Sequence, residues 1–185
     1  MATARIKGVL SPVVTPFKRD LSPDVGRFIA HCKWLISQDC GLAVFGTNSE
    51  ANSLSAKERM SLLEAVVAAG VPTARMMPGT GACSINEAAK VSAHATKLGV
   101  AGVLMLPPFY YKGVPEEGLF RFFSEVVQRV GDDRDGDRAD GPGRPVQRDG
   151  GGCAGTPARL ERRFVVPGQQ AFGRAAETAG VKDVR

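Results

Sequence analysis

GLAVFGTNSE, residues 41–50, running on into Ala51-Asn52-Ser53-Leu54-Ser55, decides the architecture of this 185-residue chain. Leu42, Ala43, Val44 and Phe45 form an apolar run long enough for one buried strand and too short for a helix. The run stops at Gly46. Thr47, Asn48 and Ser49 then offer hydroxyls, an amide and backbone N–H groups just beyond the strand end. Ser55 with Glu58 three residues on reads as a capping box, and AKERMSLLEAVVAAG carries apolar positions at helical spacing. Strand, polar elbow and helix make one βα unit, and such elbows commonly hold small anions.

The same rhythm recurs on both sides. Upstream, GVLSPVVTPF (8–17) reads as a strand, and Ser22-Pro23-Asp24 as a helix start with Pro23 at the first helical position. Phe28, Ile29, Cys32, Leu35 and Ile36 share one stripe of that helix, and Asp39-Cys40-Gly41 closes it. His31 and Trp34 on the same helix are packing or surface residues. Downstream, ARMMP (74–78) reads as a third strand ending in Gly79-Thr80-Gly81-Ala82. Ser84 with Glu87 predicts a second capping box, opening a helix over INEAAKVSAHATKLG. GVLML (102–106) is a fourth strand, followed by Pro107-Pro108-Phe109-Tyr110-Tyr111-Lys112. Pro115-Glu116-Glu117 begins a fourth helix, with acidic residues where the helix dipole favours them. Four strand-then-helix repeats predict a parallel α/β architecture, either a (β/α)8 barrel or a doubly wound sheet.

Composition bounds the function. No stretch of 18 apolar residues and no charged-then-apolar leader is present, which predicts a soluble, cytoplasmic protein without a membrane partner. Cys32, Cys40, Cys83 and Cys153 form no C-x-x-C pair and do not cluster with His31 or His94, so no metal site is expected. The 24 Lys+Arg against 19 Asp+Glu are a mild excess that carries no functional weight.

After Asp132 the sequence changes character. Residues 133–185 have no periodicity, no Ile and no Met, and are crowded with Gly, Arg, Asp and Pro. No apolar strand falls where a fifth should; the triplet Phe164-Val165-Val166 comes late and is cut off by Pro167-Gly168. Disorder is the expectation for such a composition. A frameshifted reading of GC-rich DNA gives this composition, and a natural tail is the rival. The coding DNA decides: the frameshift is lost if neither other frame yields an apolar strand ending in Tyr and then a G-[IV]-K strand. Nine Arg and one Lys stand against six Asp and two Glu there. No aromatic residues alternate with the arginines, so nucleic acid is not an expected partner.

Val14-Thr15-Pro16-Phe17, GTNSEANSLSAKER, PGTGACSINEA and LPPFYYKGVPEEGLF, in that order, resemble the dihydrodipicolinate synthase / N-acetylneuraminate lyase family of Schiff-base aldolases. The resemblance covers roughly residues 5–132. It implies a TIM (β/α)8 barrel, of which residues 1–132 carry the first four βα units. It also implies C–C bond formation or cleavage on pyruvate or a similar 2-oxo acid through a lysine imine. An aldehyde-type second substrate, a homo-oligomer and no metal or organic cofactor follow from the same likeness. Thr47 and Asn48 map to the pyruvate carboxylate, with Thr47 also in a proton relay. Where family members commonly carry a second threonine and then a glycine, Asn48 and Ser49 stand here, and Asn48 cannot relay a proton as a hydroxyl can. Tyr110, or Tyr111 beside it, matches the tyrosine that reaches a neighbouring subunit's site. The family's fifth-strand tyrosine and sixth-strand lysine have no clear match. Gly180-Val181-Lys182-Asp183 is similar to the lysine motif but follows RAAETA instead of an apolar strand. Lys112 reads as a solvated loop charge. If the lysine and tyrosine are absent, the chain is a catalytically dead half-barrel that at most oligomerises or binds a 2-oxo acid weakly.

Overall fold

A computed structural model describes residues 7–132 and the backbone of 164–165. The elements are β1 (Leu10–Pro12), α1 (Val25–Ser37), β2 (Gly41–Ala43), α2 (Ala56–Ala68), α3 (Ile85–Lys97), β3 (Val103–Leu104), α4 (Glu116–Asp132) and β4 (Phe164–Val165). β1 pairs with β2 in parallel, Leu10 opposite Gly41, and β3 pairs with β4 in parallel, Val103 opposite Phe164. Residues 76–80 join the two pairs. Met77 N–H donates to Leu42 O at 2.8 Å and Gly79 N–H to Val44 O at 2.7 Å, while on the far side Thr80 N–H donates to Leu104 O at 2.8 Å. The described strands therefore lie side by side in chain order. A doubly wound sheet reverses its order at the middle; no reversal occurs among these strands.

Several sequence expectations are corrected. Pro23 does not open α1. Asp24 is the N-cap, its carboxylate accepting from Arg27 N–H at 3.0 Å, because an acidic side chain can satisfy a free helix N–H and proline cannot. Pro23 instead pairs antiparallel with Phe17 across the turn before the helix. The third strand begins two residues later than ARMMP implies, since Thr73–Arg75 form a 3-10 turn and pairing starts at Met76. The capping box at Ser55 and Glu58 is complete. Bonds from the Ser55 hydroxyl and backbone hold the Glu58 carboxyl below its ordinary value. The second box is only half formed. Ser84 Oγ accepts from Glu87 N–H at 3.5 Å, but the Glu87 carboxylate lies 4.0 Å from Arg59 and does not complete the box. Phe164 and Val165, too short and too late in the sequence to mark a fifth strand, occupy the fifth place in the order beside β3. An aromatic and a β-branched residue suit the extended backbone that an open parallel edge can pair with. The other expectations for residues 133–185 lie outside the described residues.

Two apolar clusters hold these elements together. One packs Phe28, Cys32 and Leu35 of α1 and Leu62, Leu63 and Val66 of α2 against Leu42, Met76 and Val103 on the strands. The Phe28 and Phe45 rings stack with centroids 5.7 Å apart, tying α1 to the end of the organising strand. The other sets Ala88, Ala89 and Ala93 of α3 against Phe122, Phe123, Val126 and Val130 of α4. Small alanines on one helix leave room for the aromatic face of the next. No helix among the described residues is long and apolar enough to cross a membrane.

Candidate functional site

The elbow after β2 is built from unusual backbone. Phe45 has φ +58° and Glu50 φ +59°, both left-handed for residues that carry a side chain. Such conformations persist only where the surroundings impose them. Between them Thr47–Ser49 form a single 3-10 turn, closed by Ser49 N–H donating to Gly46 O at 3.0 Å. Ser53 Oγ donates to the Glu50 carboxylate at 3.0 Å and Ser53 N–H to Glu50 O at 2.9 Å, which carries the chain into α2.

Thr47 and Asn48 are exposed, and Ser49 is buried. The buried Thr15 hydroxyl donates to Ser49 O at 2.7 Å, so the segment after β1 pins the base of the elbow. The motif Val14-Thr15-Pro16-Phe17 was legible, but nothing in it told what Thr15 holds; a hydroxyl at an otherwise apolar strand end was the available signal. Ser49 Oγ is buried without a hydrogen-bond partner in the structure.

The next turn, residues 79–81, presses against the elbow. A Cβ on Gly79 would stand 2.0 Å from Phe45 O, so only glycine fits there. Thr80 is fully buried, and its hydroxyl accepts from Ser92 Oγ of α3 at 2.8 Å. Arg59 of α2 is buried and donates through Nη1 to Gly81 O at 3.1 Å. Burial lowers the Arg59 pKa and Glu87 opposes that shift. The side chain keeps its charge, since a guanidinium is not deprotonated in proteins.

Tyr110 and Tyr111 sit on the loop between β3 and α4, 77% and 61% exposed, their rings edge to face at 5.6 Å. Neither is hydrogen-bonded to Thr47 or Asn48 among the described residues. The structure thus brings Thr47, Asn48, Ser49 and Thr15 together and leaves the two tyrosines at a separate strand end. Lys112 is exposed and donates to Phe109 O at 3.3 Å, as a loop charge does. Lys182 and Cys153 lie outside the described residues. His31 stacks on Trp34 with centroids 5.9 Å apart, a surface packing role. The Cys32 thiol is pushed up to about 12 by burial, which makes it unreactive. Among the described residues no three His, Cys, Asp or Glu side chains could hold a metal. A groove of about 890 Å³ lies between α2, α3 and the end of α4, lined by Lys57, Glu64, Lys90, His94 and Arg129, and includes no elbow residue.

Relatives share this part of the chain. A 4-hydroxy-tetrahydrodipicolinate synthase from Rhizobium meliloti is 33% identical over 125 residues, covering 67% of this chain and 42% of its own length. The crystal structure of dihydrodipicolinate synthase from Agrobacterium tumefaciens superposes with a TM-score of 0.65 at 37% identity, over 68% of this chain and 44% of that one. YagE, a prophage protein of the dihydrodipicolinic acid synthase family from E. coli K12 solved with pyruvate, superposes with a TM-score of 0.61 at 31% identity, over 69% and 43%. The chain spans about 42% of the length of the curated relatives it matches. The Dihydrodipicolinate synthetase family model matches residues 5–133, more than half of the chain, and the chain belongs to that family.

Proposed function

We propose that this chain carries the carboxylate-binding side of a pyruvate site in a lyase of the Schiff-base aldolase type. In this reading residues 1–132 are the first four βα units of a (β/α)8 barrel, and the site lies at the C-terminal strand ends, where barrel active sites are built. The observation that carries it is the elbow: Thr47 and Asn48 stand exposed on a turn whose base is pinned by Thr15. A hydroxyl, an amide and N–H groups there suit the carboxylate of a small 2-oxo acid. The pyruvate bound to YagE supports that choice of ligand.

The chemistry follows from the substrate. A lysine amine attacks the 2-oxo carbon and water leaves, giving an iminium. It accepts the electron pair and becomes an enamine when a neighbouring C–C bond breaks. In the forming direction it first loses a proton from the adjacent carbon, so that the enamine supplies the pair to the aldehyde. Fixing the carboxylate orients that carbon, and Thr47, with Tyr110 or Tyr111 reaching in from a neighbouring subunit, moves protons. An aldehyde is the second partner, and no cofactor enters. Gly180-Val181-Lys182-Asp183 is similar to the family's lysine motif but follows RAAETA in place of an apolar strand, so the imine-forming role is not assigned to Lys182. Sodium borohydride with pyruvate is expected to trap a covalent adduct on the chain. A mass spectrum without an adduct overturns the imine step, and an adduct that is lost in Lys182→Ala would make residues 133–185 part of the catalytic machinery, against this reading.

A second reading is a non-catalytic module. It is favoured by the composition of residues 133–185, as an appended frameshifted segment or a natural tail, where no apolar strand precedes Lys182. It is favoured too by the exposed Val9 and Val14 flanking β1, which pairs with β2 on one side only among the described strands. Open edges and uncovered apolar side chains drive self-association. The chain is expected to be a homo-oligomer or poorly soluble; a well-behaved monomer in size-exclusion chromatography with light scattering contradicts this.

A further inference from the structure

We propose that Arg59 is a positioning residue for the carboxylate-binding elbow, acting through the turn at residues 79–81; this rests on the reading of Thr47 and Asn48 above. Arg59 is only 6% exposed. Its Nη1 donates to Gly81 O at 3.1 Å, its Nη2 lies 4.0 Å from the Glu87 carboxylate, and its Nε has no partner. A buried cation whose counter-charge, Glu87, is partly exposed and 4.0 Å away, and which keeps an orphaned donor, is poor for stability, and an apolar side chain of similar volume would fill the site more favourably. Its one close bond goes to a loop carbonyl outside its own helix.

That loop bears directly on the elbow. Gly79 N–H donates to Val44 O at 2.7 Å, and its Cα is so close to Phe45 O that a Cβ would stand 2.0 Å away. Thr80 is held from the other side by Ser92, 2.8 Å. Arg59 from α2 and Ser92 from α3 therefore clamp the turn between two helices. The clamped turn sets Phe45 and Gly46, and these set where Thr47 and Asn48 stand. Within GTNSEANSLSAKER, Thr47 and Asn48 are thus twelve and eleven positions from their brace, joined to it in space through a different loop.

The test compares Arg59→Met, which keeps the volume without donors, with Arg59→Lys, which keeps one charged donor. Val130→Ala, on α4 in the α3–α4 cluster, serves as a destabilised control that leaves Arg59 and its bond to Gly81 in place. Amide hydrogen exchange at Gly79, Thr80 and residues 46–51 is expected to speed up about tenfold in Arg59→Met, the scale of one lost charge-assisted hydrogen bond. Arg59→Lys should restore much of the protection, and Val130→Ala should leave these amides as they were. Pyruvate Kd, followed by chemical shifts, should rise by a similar factor in Arg59→Met alone. Unchanged exchange at 46–51 in Arg59→Met overturns the proposal, as does equal acceleration in Val130→Ala. The exchange measurement needs no pyruvate. If pyruvate fails to bind the unaltered chain, the reading of the elbow falls, and exchange still decides the brace.

Discussion

Gly79→Ala is expected to destabilise the chain by about 3 kcal/mol or more, enough to unfold a marginal domain. The new Cβ would lie 2.0 Å from Phe45 O, 2.6 Å from Phe45 C and 3.1 Å from Gly46 N. All three are backbone atoms, so no side chain can swing away. Phe45 cannot retreat either, since its ring stacks on Phe28 in the core and its φ is already +58°. Relief requires the two chain segments to part, which breaks the Gly79-to-Val44 and Met77-to-Leu42 bonds that join β2 to the next segment. Gly46→Ala is the matched comparison: its φ is −82° and nothing lies within 4 Å of the added carbon. Urea denaturation should show a large fall in midpoint for Gly79→Ala and little change for Gly46→Ala. Equal midpoints would mean that the sheet separates cheaply and that the close approach is not a constraint.

Thr47→Val is expected to abolish the chemical-shift changes that pyruvate induces around residues 46–50. Valine keeps the shape of threonine and removes its hydroxyl, so the change is chemical and hardly steric. Thr47 is exposed and its hydroxyl bonds to nothing else among the described residues, so stability should move by less than about 0.5 kcal/mol. Binding by the unaltered chain should itself be weak if no imine forms, because the exposed elbow leaves the ligand open to competing water. Lys182→Ala should leave the elbow shifts in place, since carboxylate capture and imine formation use different groups. Shifts that persist in Thr47→Val would remove the hydroxyl from the carboxylate site and turn attention to Asn48 and the backbone.

Local chemistry made much of the architecture legible. Ser55 and Glu58 form the capping box their spacing announces, because both partners lie within one helical turn and nothing else competes for them. Ser84 and Glu87 have the same spacing and form only half of one, because a buried Arg59 from another helix lies close to the Glu87 carboxylate. Pro23 read as a helix start because proline suits that position, yet Asp24 offered a cap that proline could not. Strand ends follow the pairing and not the sequence run: Ala74 and Arg75 belong to a 3-10 turn, and Val103–Leu104 are the only strand residues of GVLML.

The sequence by itself determined the alternation of strand and helix and the place of the elbow after the second strand. Each is encoded by side-chain period or by residues adjacent in the chain, so no distant partner is needed to see it. Only the tertiary structure decided what holds the elbow: Thr15 beneath Ser49, Gly79 against Phe45, and Arg59 on Gly81. It also set Phe164–Val165 beside β3, 61 positions away in the chain. Such contacts join residues 22 to 61 positions apart. A hydrogen bond of that kind depends on where two elements meet after packing, and the spacing within either element leaves no trace of it.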